Sequence, residues 1–164
     1  MKKHLAIRII ALVVLLCVVA WVLFACTGRY NEGDLTLTLE VDKTEVQVGD
    51  TITATATLKN ISGKDVKFSL PPSYKGGRVE DKLIGIILVD ENIRAGFGIF
   101  DDGGPFWIWV NGTIKNGSAM QKTQQFVIEE AVNYNLSAGA LFCYKPNGKK
   151  IGIYSEEIKI HVKE

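Results

Sequence analysis

The chain has 164 residues, 47% of them hydrophobic, and a formal net charge of +1. Lys2, Lys3 and Arg8 lie in the N-terminal segment, so three of the 19 basic residues belong there; the other 16 stand against 18 acidic ones, a net of −2. That near-balance excludes the basic face a nucleic-acid binder needs and the polybasic cluster that grips anionic lipid.

Residues 1–26 read MKKHLAIRIIALVVLLCVVAWVLFAC. A short basic stretch precedes an uninterrupted apolar run from Ile9 to Ala25. The run is longer than a secretory core of roughly 7–15 residues and slightly shorter than the roughly 20 that span a bilayer. Leu23-Phe24-Ala25-Cys26 resembles the bacterial lipobox, with Phe24 bulkier than that pattern usually carries. The resemblance implies a signal peptide cut before Cys26, whose sulfur carries a diacylglyceryl group. The alternative is an uncleaved membrane anchor with Cys26 incidental. Either way the remainder is expected outside the cytoplasm, fixed to the cell membrane. Thr27–Asp34, polar and with two glycines, reads as a short tether.

From Leu35 onward apolar and polar residues alternate, as half-buried antiparallel strands require. Leu35, Leu37, Leu39 and Val41 share one face; after a break at Asp42-Lys43-Thr44, Val46 and Val48 continue. Beyond the turn at Gly49-Asp50, Ile52, Ala54, Ala56 and Leu58 make the next inward set, with threonines outward. A second turn over Asn60–Lys64 leads to Val66, Phe68 and Leu70, and Pro71-Pro72 ends that strand. This stretch, Leu35–Phe68, resembles the opening of bacterial surface modules with an immunoglobulin-like fold of the adhesion-related, fibronectin-III-like kind. Phe126–Val162 resembles them more loosely. The resemblance rests on strand rhythm and turn positions, and implies an antiparallel β-sandwich over residues 35–164.

Residues 73–118 depart from that rhythm. Leu83–Val89 is apolar almost throughout, as in a strand covered on both faces. Asp101–Pro105 is a strong turn signal and precedes Phe106-Trp107-Ile108-Trp109-Val110. From Met120 the regular rhythm returns, and Phe126 and Ile128 close a further strand. Tyr134, Leu136, Ala138, Ala140, Phe142 and Tyr144 alternate along the next, with Tyr134 where sandwich domains place a tyrosine that bonds back across a corner. Ile151, Ile153, Ile158, Ile160 and Val162 read as one final strand.

Chemistry-bearing residues are sparse. Cys143 is the only cysteine and His161 the only histidine after the tether. Cys143, beside Phe142 and Tyr144 and without a histidine base nearby, reads as a small hydrophobe rather than a nucleophile. The paired carboxylates Asp90-Glu91, Asp101-Asp102, Glu129-Glu130 and Glu156-Glu157 point to opposite faces when on a strand. Asp101 and Asp102 are weak candidates for Ca²⁺ and read more simply as a solvated turn. No cofactor is expected, and no enzyme. Trp107 and Trp109, two apart on a strand, share a face: they fill the core or present a platform for sugar rings. The expected function is a non-catalytic binding module of the bacterial cell envelope, with a protein or polysaccharide partner. The alternatives are a carbohydrate-binding module using Trp107 and Trp109, or a β-sandwich protease inhibitor presenting Ser73–Gly77 or Asp101–Pro105.

Overall fold

The structure, a computed structural model, describes residues 33–70, 83–92, 110–145 and 148–163. Contacts divide the chain into Met1–Asn31 and Glu32–Glu164, and every described element lies in the second unit. All ten are strands: β1 (Leu35–Val41), β2 (Glu45–Val46), β3 (Thr51–Asn60), β4 (Val66–Leu70), β5 (Ile84–Asp90), β6 (Val110–Ile114), β7 (Ala119–Val127), β8 (Tyr134–Cys143), β9 (Lys150–Tyr154) and β10 (Ile158–Val162). The protein is all-β, and its two sheets are open.

The first sheet has the order β1-β3-β7, antiparallel throughout. The second has the path β2-β10-β8-β4-β6, with β5 and β9 also paired to β8. The break at Asp42–Thr44 moves the chain from one sheet to the other. Asp42 stays with β3, its carboxylate accepting the Thr53 N–H at 2.9 Å. Two residues on, Thr44 O accepts the His161 N–H at 2.7 Å, which starts the parallel pairing of β2 with β10. Val46 is buried there, whereas Val48, expected to extend the strand, is 52% exposed in the following loop. Gly49 and Asp50 bond to Ile128 and Gln47 in that loop, so Val48 has no ladder to join.

The apolar alternation delivers the core. Ile52, Ala54, Ala56 and Leu58 of β3 and Leu136, Ala138, Ala140 and Phe142 of β8 are all fully buried. β1 lies against β8 and β9, and β5 against β3 and β7, so the buried faces of the two sheets meet. Phe68 packs edge-on against Phe142, ring centres 6.1 Å apart, and its ring lies over Gly112 on the neighbouring strand. A β-carbon at Gly112 would collide with that ring, so the glycine is a packing requirement. Around β8 the second sheet is also covered on its other face: Leu141 and Cys143, which alternate outward, are 8% and 3% exposed. Gly85, Ile87 and Val89 of β5 are half-buried, in keeping with the two-sided apolar pattern of Leu83–Val89.

The final strand is two strands rather than one. Tyr154 pairs with Gly139 and Ile158 with Leu136, so Ser155, Glu156 and Glu157 face only two residues of β8. This is a β-bulge, one extra residue on one side. Ser155 fixes it: its hydroxyl accepts the Ala138 N–H at 3.0 Å and its own N–H donates to Ala138 O at 3.0 Å. The bulge has a purpose legible in the residues. Apolar positions are odd-numbered in β9 (Ile151, Ile153) and even-numbered in β10 (Ile158, Ile160). Only an extra residue puts all four opposite the inward side chains Phe142, Ala140, Leu136 and Tyr134.

Deleting Glu156 should therefore remove the bulge and leave a regular ladder, with Ser155 and Glu157 opposite Ala138 and Ser137, Ile158 and Ile160 still inward, and cooperative urea unfolding retained. Glu156→Ala, which keeps the count, should stay within about 0.5 kcal/mol of the parent. A deletion variant that lost cooperative unfolding would contradict the assignment of one extra residue between β9 and β10.

Candidate functional site

Among the described residues, the outer edge of β7 in the first sheet has no paired strand. In an antiparallel strand, alternate residues turn their N–H and C=O to one neighbour and the rest turn theirs to the other. At the two ends of the β3–β7 ladder, Asn60 N–H donates to Ser118 O at 3.0 Å and Ile128 N–H donates to Asp50 O at 2.9 Å. With the register Thr51 to Val127, the even-numbered residues of β7 are committed to β3. Ala119, Gln121, Thr123, Gln125 and Val127 thus point their backbone groups away from the sheet. No described strand pairs with them there.

The same five residues also carry the exposed side chains of β7. None is charged. Gln121 Nε2 donates to Thr57 Oγ1 at 3.1 Å, and the Thr55 and Thr123 hydroxyls share a hydrogen bond of 3.1 Å. The outer face beside the edge is thus mainly a ladder of neutral polar groups, with Lys59 opposite Ala119 at one end. Val127, 57% exposed, adds an apolar end. Lys122, the one charge on the strand, faces inward and donates from Nζ to Ile84 O of β5 at 2.9 Å. Natural edges are usually guarded by charge, proline, a bulge or an inward-pointing charge; the outward set here carries no charge or proline, and the inward Lys122 is the one guard on the strand.

Two contacts fix where β7 starts. Asn60 is fully buried at the end of β3. Its Nδ2 donates to Lys64 O (2.7 Å) and Ile114 O (2.9 Å), and its Oδ1 accepts from the N–H (3.0 Å) and the hydroxyl (2.7 Å) of Ser62. Its backbone holds Ser118 and Gly117 of the β6–β7 turn. Asp65 grips the same turn from outside, accepting Lys115 Nζ at 2.8 Å and the Asn116 N–H at 3.0 Å. Those bonds, the lysine's first, hold the Asp65 carboxyl below its ordinary range. At the other end of β8, Tyr134 bonds back to Glu130 as its position suggests, its hydroxyl lying 3.3 Å from Glu130 N and 3.4 Å from Glu130 O.

The residues singled out by the sequence distribute differently. Cys26, Asp101, Asp102, Trp107 and Trp109 lie outside the described residues, as do the loops Ser73–Gly77 and Asp101–Pro105. Cys143 is buried, and burial pushes its thiol up, away from the thiolate a nucleophile needs. His161 is exposed on β10. Among the described residues no three His, Cys, Asp or Glu side chains converge, and no helix is long and apolar enough to cross a membrane. The rhythm that returns from Met120 and closes at Phe126 and Ile128 corresponds to β7, but nothing in it marks the strand as an edge. Lys122 and Gln124 occupy inward positions and break the apolar alternation.

No family model and no curated protein matches the chain. Among solved structures it is similar to the sporulation control protein Spo0M of Bacillus subtilis, at 12% identity and a TM-score of 0.48, over 81% of this chain and 51% of that one. A structural-genomics target is similar at 12% identity and a TM-score of 0.46, over 81% and 90%. A β-glucosidase from Listeria innocua is similar at 11% identity and a TM-score of 0.34, over 77% and 17%. The chain thus spans about half the length of Spo0M and 17% of the glucosidase.

The Asp65 grip makes a pH prediction. A carboxyl with a lowered folded-state pKa stabilises above its unfolded pKa, and that contribution is lost as pH falls through the folded value. Asp65→Asn should be less stable than the parent at neutral pH, and the gap should close between roughly pH 5 and pH 2. Urea midpoints across that range measure it; a gap independent of pH would contradict the assignment.

Proposed function

We propose that the chain is a membrane-anchored, extracytoplasmic binding module of the bacterial cell envelope, without catalytic function, that engages a protein partner through the β7 edge. The open, uncharged edge of Ala119–Val127 carries this reading. Adding an extended strand to such an edge gives affinity through main-chain hydrogen bonds, and needs no pocket. The anchor is a lipid on Cys26, left as the N-terminus once the apolar segment before it is cut away, as the lipobox-like setting implies; each buried acyl CH₂ contributes about 0.8 kcal/mol.

The fold reading that accompanies it is an immunoglobulin-like sandwich of the fibronectin-III kind. Three features support it: a first strand divided between two sheets, the orders β1-β3-β7 and β2-β10-β8-β4-β6, and the Tyr134 hydroxyl returned to Glu130. Such a domain displays its edges and loops while its core supplies stability, which suits a binding role. Fold alone does not fix a partner.

The test uses the full chain in its own cells, with a photo-crosslinking residue at Thr123 and, as control, at Glu40 on the β1 side of the same sheet. The reading predicts a protein adduct in the membrane fraction from position 123 and none from position 40. Cys26→Ser should abolish lipid labelling. No adduct at 123, combined with a polysaccharide that shifts tryptophan emission, would overturn the reading and put carbohydrate binding by Trp107 and Trp109 first.

A further inference from the structure

We infer that the protein partner at the β7 edge is a second copy of this chain, paired antiparallel about a two-fold axis through Thr123. This inference rests on the reading of the edge as a binding surface and goes further by naming its occupant. In that pairing Thr123 meets Thr123, Gln121 meets Gln125, and Ala119 meets Val127. Each of these is a residue whose backbone groups face outward, so every pair can exchange two hydrogen bonds without disturbing β3. The two three-stranded sheets become one of six strands.

The side chains select that register. The uncharged outward set is symmetric about Thr123: a threonine pair flanked by two glutamine pairs, then Ala119 against Val127, which covers the exposed valine. On the inward face Met120 meets Phe126 and Lys122 meets Gln124. Moving the axis by one residue to Lys122 would shorten the ladder and set two lysines opposite each other, which is unfavourable. A one-residue slip of a single strand would oppose outward backbone groups to groups already bonded to β3. Charge favours the antiparallel sense too: parallel pairing would set the Glu129-Glu130 ends of the two copies side by side, whereas antiparallel pairing separates them.

The experiment is disulfide trapping in the full chain, folded and in neutral detergent. In a hydrogen-bonded antiparallel pair the Cα atoms lie about 5.5 Å apart, within the range a disulfide bridges. Thr123→Cys should yield a linked dimer under mild oxidation, well above the background of the parent chain. Gln121→Cys alone, which faces Gln125, should stay at background, and an equal mixture of Gln121→Cys and Gln125→Cys chains should link. Thr123→Pro, whose lost N–H points away from β3, should fold normally and sediment as a monomer where the parent sediments as a dimer. Equal linking of Thr123→Cys and Gln121→Cys would overturn the inference, as would a parent that stays monomeric at every concentration tested. An adduct from position 123 to a different protein in cells would also overturn it while leaving the binding role of the edge intact.

Discussion

Asn60 holds the two sheets in one frame. It is buried at the end of β3, and both donors and both acceptor positions of its side-chain amide are used. Its backbone N–H and C=O are taken by Ser118 and Gly117. A buried amide with any of these unmet would cost about 1–3 kcal/mol per group; with all met it fixes geometry. The partners belong to different places: Ser62 and Lys64 to the β3–β4 loop, Ile114 to β6 in the second sheet, Gly117 and Ser118 to the turn that launches β7 in the first. The two turns it clasps close through Gly63 and Gly117, both in the left-handed region at φ 77° and 71°, where a side chain is unfavourable.

The consequence reaches the edge. Because Asn60 binds Ser118, β7 enters the β3 ladder with its even-numbered residues facing β3, and its odd-numbered residues are left to face outward. The chemistry of the edge is therefore a matter of parity. The neutral set Ala119, Gln121, Thr123, Gln125 and Val127 is outward, and Lys122 is drawn inside to Ile84. A shift of one residue at the clasp would put Lys122 on the open side and add a charge to the outward set. The bulge at Ser155–Glu157 solves the same kind of problem in the other sheet, correcting a switch from odd to even apolar positions before it reaches the core. Both devices act on backbone count rather than on side-chain size.

These particulars explain what could be read beforehand. The strands at Leu35–Val41 and Thr51–Asn60 announce themselves, because each has one buried face and so a clean alternation; Tyr134–Cys143 alternates in its sequence although its second half is buried on both faces. The break at Asp42–Thr44 and the return of Tyr134 to Glu130 were legible for similar local reasons. The split between β9 and β10 was present as the odd-to-even switch, and was passed over because isoleucines on both sides of Ser155–Glu157 suggest continuity. β7 alternates less cleanly for a physical reason: its inward face packs at the margin of the core, where Lys122 and Gln124 are tolerated half-buried. The role of Asn60 could not be read at all, since turn asparagines are common and only the tertiary structure shows which one is enclosed.

The openness of the β7 edge is tested most directly by amide hydrogen exchange on the dilute, monomeric chain. Met120, Lys122, Gln124 and Phe126, whose N–H groups face β3, should exchange slowly with the rest of the sheet; Gln121, Thr123 and Gln125 should exchange near the rate of unstructured amides. Protection of Gln121, Thr123 and Gln125 equal to that of their even-numbered neighbours in the monomer would mean that the edge is already occupied, and would contradict the account.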